Sequence, residues 1–425
     1  MSDNLPAKVS KSLFTKEEVA MWDFLPPEIL PNILLRLPTK SIVKFTSVCK
    51  TWRSLIRNPD FISAHLKLSN HNQPLLLFRF CSDWLKDALS SMKRDTHEKE
   101  VYKLYCDNQG FNEHTRFDFP FHTRGDGALF VVVGTCNGLV CVMGDGFWGR
   151  IILWNPCVRM FVELPKPNVT YQSYGECYTS AGLGFDSKTN DYKVVRVVTV
   201  LDARRNDWGV SPPMVEVYSL ATGEWSMVIT ALPGAVRPRD PLPFVNGALH
   251  WVALKRTNYN KYRNFITVLN LGDMVFSEIA LPILSDDKDN GDEVHIRPFI
   301  SAYGNSLALF QEGFRTLCVN VWLMKRYADA SSWTKIVIFP YIGLRDQDIN
   351  DIIGVDHAEG YIRAKGFRKS GEVVVQLDFD QRLISQDLET QECKDLRISA
   401  YNYTFVGCYV KSLVLLDKPN RAATY

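Results

Sequence analysis

The sequence predicts a small all-α segment followed by an all-β propeller of about six blades, and three observations lead there. Apolar spacing is helical from Asp23 to about Leu68, then changes from Pro74 onward to short continuous or alternating runs. Those runs are dense enough to leave no room for a helix of comparable length. A strand–turn–strand unit also returns every 51 to 64 residues, a period that suits a four-stranded blade with enlarged loops. At 425 residues the chain exceeds what one core usually organises. The expected division is a disordered polar tail over 1–21, a helical domain over 22–68 and the propeller over 74–416.

In the helical part, Leu25, Ile29, Ile33 and Leu37 recur every four residues, and Leu30 and Leu34 widen the stripe. Asp23 is placed to cap this first helix, Pro26 and Pro27 suit its first turn, and Pro38 ends it. Thr39 is expected to cap a second helix carrying Ile42, Val43, Phe45 and Val48. A third is expected over Thr51–Arg57, stopping before Pro59, and a short fourth over Phe61–Leu68. Some 45 residues are too few for an independent core. The stripe Leu25, Ile29, Ile33, Leu34 and Leu37 must therefore pack on the β-domain or dock into a partner's groove.

In the β part, LLLFRF, ALFVVV, LVCVM, IILW, YKVVRVV, VEVYSL, ALHWVAL, ITVLNL, LALF, TLCVNVW, KIVIF, VVVQLDF and SLVLL read as strands separated by Gly, Asn, Asp, Ser and Pro. One recurring turn aligns Asn155, Ser219, Asn270, Met324 and Asp387, separated by 64, 51, 54 and 63 positions. A second opens strands at Asn137-Gly138, Asn246-Gly247, Gly304-Asn305 and Glu359-Gly360, with SKTNDYK midway through the long first gap. The final strand, Val410 to Leu416, is expected to pair back into the first blade and remove the exposed edges.

Composition bounds the function. Hydrophobic residues are 46%, charged residues 23% and net charge +2, which excludes a wholly disordered chain and a charge-driven nucleic-acid binder. The longest apolar stretches, such as Ile336 to Leu344, are about half a membrane span. The opening MSDNLPAKVSK lacks the apolar core of a secretory signal, so the cytoplasm or nucleus is expected. In that reducing setting the 10 cysteines, none in a Cys-x-x-Cys pair, are expected to be free thiols packed as small hydrophobes.

Motifs for chemistry are weak. Gly144-Asp-Gly-Phe-Trp-Gly149 matches a dinucleotide fingerprint in letters, but a strand follows where a helix is required, so a hairpin turn is expected. The run Asp286 to Glu293 fits no calcium loop and reads as solvated. The histidines form no metal cluster, and His250 reads as a satisfied packing residue. Trp154, Tyr218, Trp225, Trp251, Trp322 and Trp333 read as blade-to-blade core. Arg204-Arg205, the group Lys255, Arg256, Lys261 and Arg263, and the group Arg363, Lys365, Arg368 and Lys369 read as loop charges. A propeller hydrolase with catalytic carboxylates converging on the central channel, or a glycan-binding propeller, stands as the alternative of a different class.

The segment WDFLPPEILPNILLRLPTKSIVKFTSVCKTWRSLIRNPDFISAHL resembles an F-box in its Leu-Pro opening, its Leu-Pro after the first helix and its Val-Cys-Lys-x-Trp stretch. The β half resembles the F-box-associated, kelch-like domain of plant F-box proteins through GTCNGLVCV, LWNPCVRMFVELP, GLGFDSKTNDYKVVRV, VEVYSLATGEWSMV, FVNGALHWVA and SSWTKI. The resemblance implies a substrate receptor of a Skp–cullin–F-box (SCF) ubiquitin ligase, a non-catalytic adaptor without cofactor or metal. Leu25, Pro26, Ile29, Ile33, Leu37 and Pro38, with Val48, Cys49 and Trp52, match the positions that grip the Skp-type adaptor, and through it cullin and the RING subunit. The propeller loops would capture an unidentified protein target; pollen receptors of stylar ribonucleases belong to the same family. The implied mechanism is proximity, raising the effective concentration of a target lysine near the conjugating enzyme. One departure is Pro31, which falls inside the predicted first helix, removes its hydrogen bond to Pro27 and bends the early turns.

Overall fold

The computed structural model describes residues 29–72, 74–81, 100–121, 130–144, 149–170, 177–202, 207–208, 212–229, 232–236, 241–256, 262–282, 298–312, 319–338, 362–377, 382–400, 404–418 and 422–424. The tail 1–21, Leu25, Pro26, the acidic run 286–293, Arg204-Arg205, Lys261 and Glu359-Gly360 lie outside them.

Four helices, α1 (Ile29–Leu35), α2 (Thr39–Phe45), α3 (Lys50–Ile56) and α4 (Pro59–Asn72), lead into six antiparallel sheets of four or five strands. The first blade holds Leu75–Cys81, Glu100–Cys106 and Glu113–Asp118, and Phe405–Tyr409 pairs onto Leu75–Cys81 as its innermost strand. The second runs Phe130–Cys136, Leu139–Gly144, Ile151–Asn155 and Met160–Glu163, and the third has Cys177–Asp186, Asp191–Asp202, Met214–Ser219 and Glu224–Met227. In the fourth, two short pieces, Ala235–Val236 and Phe244–Val245, stand in for a first strand beside Ala248–Arg256, Tyr262–Asn270 and Val275–Ala280. The fifth is Pro298–Tyr303, Ser306–Glu312, Val319–Met324 and Trp333–Ile338; the sixth is Ile362–Phe367, Val373–Leu377, Arg382–Gln386 and Cys393–Ser399. Inner strands of neighbouring blades touch all the way round, from 405–409 through 130–136 and onward back to 362–367, so the ring is closed.

The recurring turns have a common physical basis. Each of the five aligned residues ends, or directly follows, the third strand of a blade. The side-chain oxygens of Asn155, Ser219, Asn270 and Asp387 accept backbone N–H bonds from the turn that follows, at 2.8–3.1 Å. Four positions after each aligned residue the chain turns left-handed, at Arg159 (φ 55), Gly223 (φ 79), Met274 (φ 55), Ala328 (φ 62) and Gln391 (φ 61). Met324 has no capping oxygen, and its longer turn is held by Asp329, which accepts the N–H of Ser331 at 2.9 Å. Asn137-Gly138 and Asn246-Gly247 place both residues at positive φ, as a two-residue hairpin turn of this hand requires.

Several expectations change. The ring-closing strand is Phe405–Tyr409, not Val410 to Leu416. The latter is a buried turn segment, with Leu415 at φ 83 and Leu416 N–H bonded to Leu413 O. It lies so close over the second blade that a Cβ on Gly138 would stand 2.4 Å from Ser412 Oγ, and Asn155 Nδ2 donates to Val414 O at 2.9 Å. Thr39 does not cap α2; Pro38 occupies that position. The third helix starts at Lys50, and the fourth is longer than expected because Asn58 Oδ1 receives the Asp60 N–H at 2.7 Å and starts it at Pro59. Among the described residues the sixth blade makes its corresponding hairpin at 368–371. Gly144 closes on Arg150 O across an antiparallel pair, so the fingerprint-like motif joins two strands of one hairpin.

Trp154, Tyr218 and Trp251 are buried core; the indole N–H groups of Trp225 and Trp333 reach across to Pro165 O (2.8 Å) and Ala280 O (3.1 Å) of the preceding blade region. His250 is fully buried, with Nδ1 against Pro243 O (3.1 Å) and Nε2 against Tyr327 OH (2.9 Å). Burial lowers its pKa to about 4, so a neutral ring bridges two blades. Arg368 is not a loop charge. It is 5% exposed and bonds Asp107 Oδ1 at 2.7 Å and Asn108 O at 2.8 Å, joining the sixth blade to the first; it also bonds Glu372.

Candidate docking site on the N-terminal helices

Helices α1, α2 and α3 have seven residues each, too short to persist alone, so packing must hold them. Leu34 (1% exposed), Ile42 and Ile56 (both 0%), with Phe61 and Ile62, join one apolar cluster with Leu139, Met160 and the buried segment Leu413–Leu416. Leu30, Leu35 and Leu37 pack against that cluster while half-buried. The helical segment is thus seated on the face of the ring that carries the hairpin turns.

The apolar stripe divides. Leu30 and Leu34 turn toward the chain's own core and Leu37 is half-buried at its edge, whereas Ile29 and Ile33, one turn apart on α1, stay 40% and 44% exposed. Val48 is 36% exposed. Leu34 therefore does not belong to a docking face. Pro38 is exposed, and Pro31 lies in the first described turn of α1, half-buried. Cys49 occupies the N-cap of α3, its Sγ accepting the Trp52 N–H at 3.4 Å. Trp52 meets Phe45 edge-on, ring centres 5.2 Å apart at 80°, which fixes the α2–α3 corner beside Val48. Of the expected adaptor-binding residues, Ile29, Ile33, Val48 and Pro38 are exposed, Leu37, Cys49 and Trp52 are half-buried, and Leu25 and Pro26 lie outside the described residues.

Charge adds a feature that apolar spacing did not reveal. Residues 29–72 carry seven Lys or Arg (Arg36, Lys40, Lys44, Lys50, Arg53, Arg57, Lys67) against the single carboxylate of Asp60. Such a surface favours an acidic partner. No helix among the described residues is long and apolar enough to cross a membrane.

Buried carboxylates serve the framework. Glu100 pairs with Arg79 (2.9 Å) and receives the Phe130 N–H (3.0 Å) of the next blade, and Glu216 pairs with Arg196 (2.7 Å). Asp186 pairs with Lys193 (2.6 Å), Asp107 with Arg368, and Asp191 accepts Ser219 Oγ–H at 2.6 Å. Among the described residues no group of three or more His, Cys, Asp or Glu is arranged to hold a metal.

A helical segment is thus seated on one face of a closed six-bladed ring, with Ile29, Ile33 and Val48 left exposed. The family described as F-box domain matches residues 22–63, and the F-box associated beta propeller domain matches residues 118–416. The chain belongs to the F-box proteins that carry an F-box associated beta propeller domain. It is 27% identical over 345 residues to an F-box/kelch-repeat protein of Arabidopsis thaliana, covering 76% of this chain and 80% of that one. To the F-box protein CPR1 of the same plant it is 26% identical over 409 residues, covering 92% and 89%.

Proposed function

We propose that this protein is the substrate receptor of an SCF ubiquitin ligase, docking a Skp-type adaptor through its N-terminal helices and, through it, cullin and the RING subunit. The observation that carries the reading is the exposure of Ile29 and Ile33 on a helix whose neighbouring leucines are used internally. Leu25, Pro26, Leu37, Pro38, Val48, Cys49 and Trp52 complete the proposed contact. The protein makes and breaks no bonds itself; it holds a target near the conjugating enzyme, and we place it in the cytoplasm or nucleus.

Strand direction supports a division of labour between the two faces. The helices sit on the side of the tight turns, such as 137–138, 246–247 and 304–305. The strands Leu75–Cys81, Val275–Ala280 and Trp333–Ile338 end on the opposite side, and we assign target capture to that side. The test is affinity recovery of the full-length protein from plant tissue with the proteasome inhibited. Adaptor and cullin should co-purify, together with a ubiquitinated target; recovery without adaptor rejects the reading.

A further inference from the structure

We propose that the cleft between the helical segment and the first blade binds a small, multiply charged phosphate anion. The cleft holds about 650 Å³. Into it face Arg36 from the α1–α2 turn, Lys40 from the first turn of α2, His65 from α4, His114 from the outer strand of the first blade, and Lys411 from the segment after the closing strand. No carboxylate lines it among the described residues.

Several surface cations elsewhere on the chain are matched: Lys103 pairs with Glu113 at 2.7 Å, Arg150 with Glu163 at 2.8 Å and Lys418 with Asp417 at 3.1 Å. Arg36, Lys40 and Lys411 form no ion pair among the described residues. Lys411 Nζ instead meets Nε2 of His114, whose Nδ1 faces Cys106 Sγ at 3.8 Å. Burial lowers the pKa of the Lys411 ammonium; burial, Lys411 and Lys40 together lower that of His114. His65 is 3% exposed, and its Nδ1 has no hydrogen-bond partner. Like charges and an unfilled ring nitrogen crowded around a space are costly when empty, and a ligand with several negative oxygens relieves both. A phosphate group takes hydrogen bonds from several directions at once, which matches donors arriving from three separate segments. The net charge of +2 does not suit an extended polyanion. A bound anion would bridge the helical segment to the ring and fix their relative orientation. This site does not depend on the ligase reading.

The test is isothermal titration of the full-length protein with pyrophosphate, with chloride and sulfate controls at matched ionic strength. One saturable site is expected, and Lys40→Gln and Lys411→Gln should each weaken it about 10-fold, the loss of one charge-assisted hydrogen bond. Lys40 is exposed, so its variant should fold unchanged; Lys255→Gln, whose ammonium pairs with Glu278 on the fourth blade, should bind as the unaltered protein does. Absence of saturable binding overturns the proposal, as does binding that both variants leave intact or that Lys255→Gln loses equally. Sulfate binding as tightly as pyrophosphate overturns the assignment to phosphate.

Discussion

Replacing Ile29 and Ile33 together by Asp should abolish binding of a Skp-type adaptor and leave the fold intact. Both side chains already have more than half their surface covered, at 40% and 44% exposure, so covering the rest is worth roughly 1 kcal/mol each. Truncation to Ala is therefore expected to weaken binding only about 5-fold per residue. Asp does more, because it places an unpaired charge in an interface that must exclude water, at a cost of several kcal/mol. The double variant should lose at least about 100-fold in affinity by titration, with an unchanged melting temperature. Leu34→Ala should do the reverse. It opens a cavity in the cluster shared with Leu139 and Leu413, costs about 2–5 kcal/mol of stability, and touches no partner directly. If Leu34→Ala and the Asp pair lowered stability alike, α1 would not be divided between an inner and an outer face.

Arg368→Met is expected to be among the most destabilising single changes in the ring, by about 3–5 kcal/mol. Met keeps the apolar stem and removes the guanidinium, so the loss is mainly of charge and hydrogen bonds. It strands the carboxylate of Asp107, whose remaining partner is the Lys369 N–H at 2.7 Å. Asp107→Asn should cost less, because Arg368 keeps Glu372, Asn108 O and its position over the Phe111 ring at 5.3 Å. The double variant should be more stable than Arg368→Met alone, since the fully buried charge of Asp107 is then gone and the part-exposed Glu372 keeps the Ser385 hydroxyl. Thermal unfolding of the four proteins checks this order. Equal melting temperatures would mean that the seam between the sixth and first blades is held by its apolar contacts alone.

Much of the fold could be read from local signals. The turn at Asn155, Ser219, Asn270 and Asp387 recurs because a short polar side chain must cap it and a left-handed residue must close it. That requirement leaves a mark every blade. The closing strand Phe405–Tyr409 left little, since Gly407 and Cys408 interrupt its apolar pattern. The more apolar Ser412–Leu416 carries the strand-like pattern instead, yet it is buried as a turn segment. The candidate docking site was half legible. A four-residue spacing identifies the helix, but neighbours such as Ile33 and Leu34 are alike in chemistry, and only packing decides which faces outward. Arg368 and Asp107, or Arg36, Lys40, His65, His114 and Lys411, are brought together by ring closure from distant parts of the chain. No spacing announces such sets.

The most direct test of the central claim is amide hydrogen exchange of the full-length protein with and without saturating Skp-type adaptor. Slowed exchange is expected over 29–37 and 48–52, with the strands and turns of the ring unchanged. Slowing confined to the propeller, or none in α1, would contradict the assignment of Ile29 and Ile33 to another polypeptide.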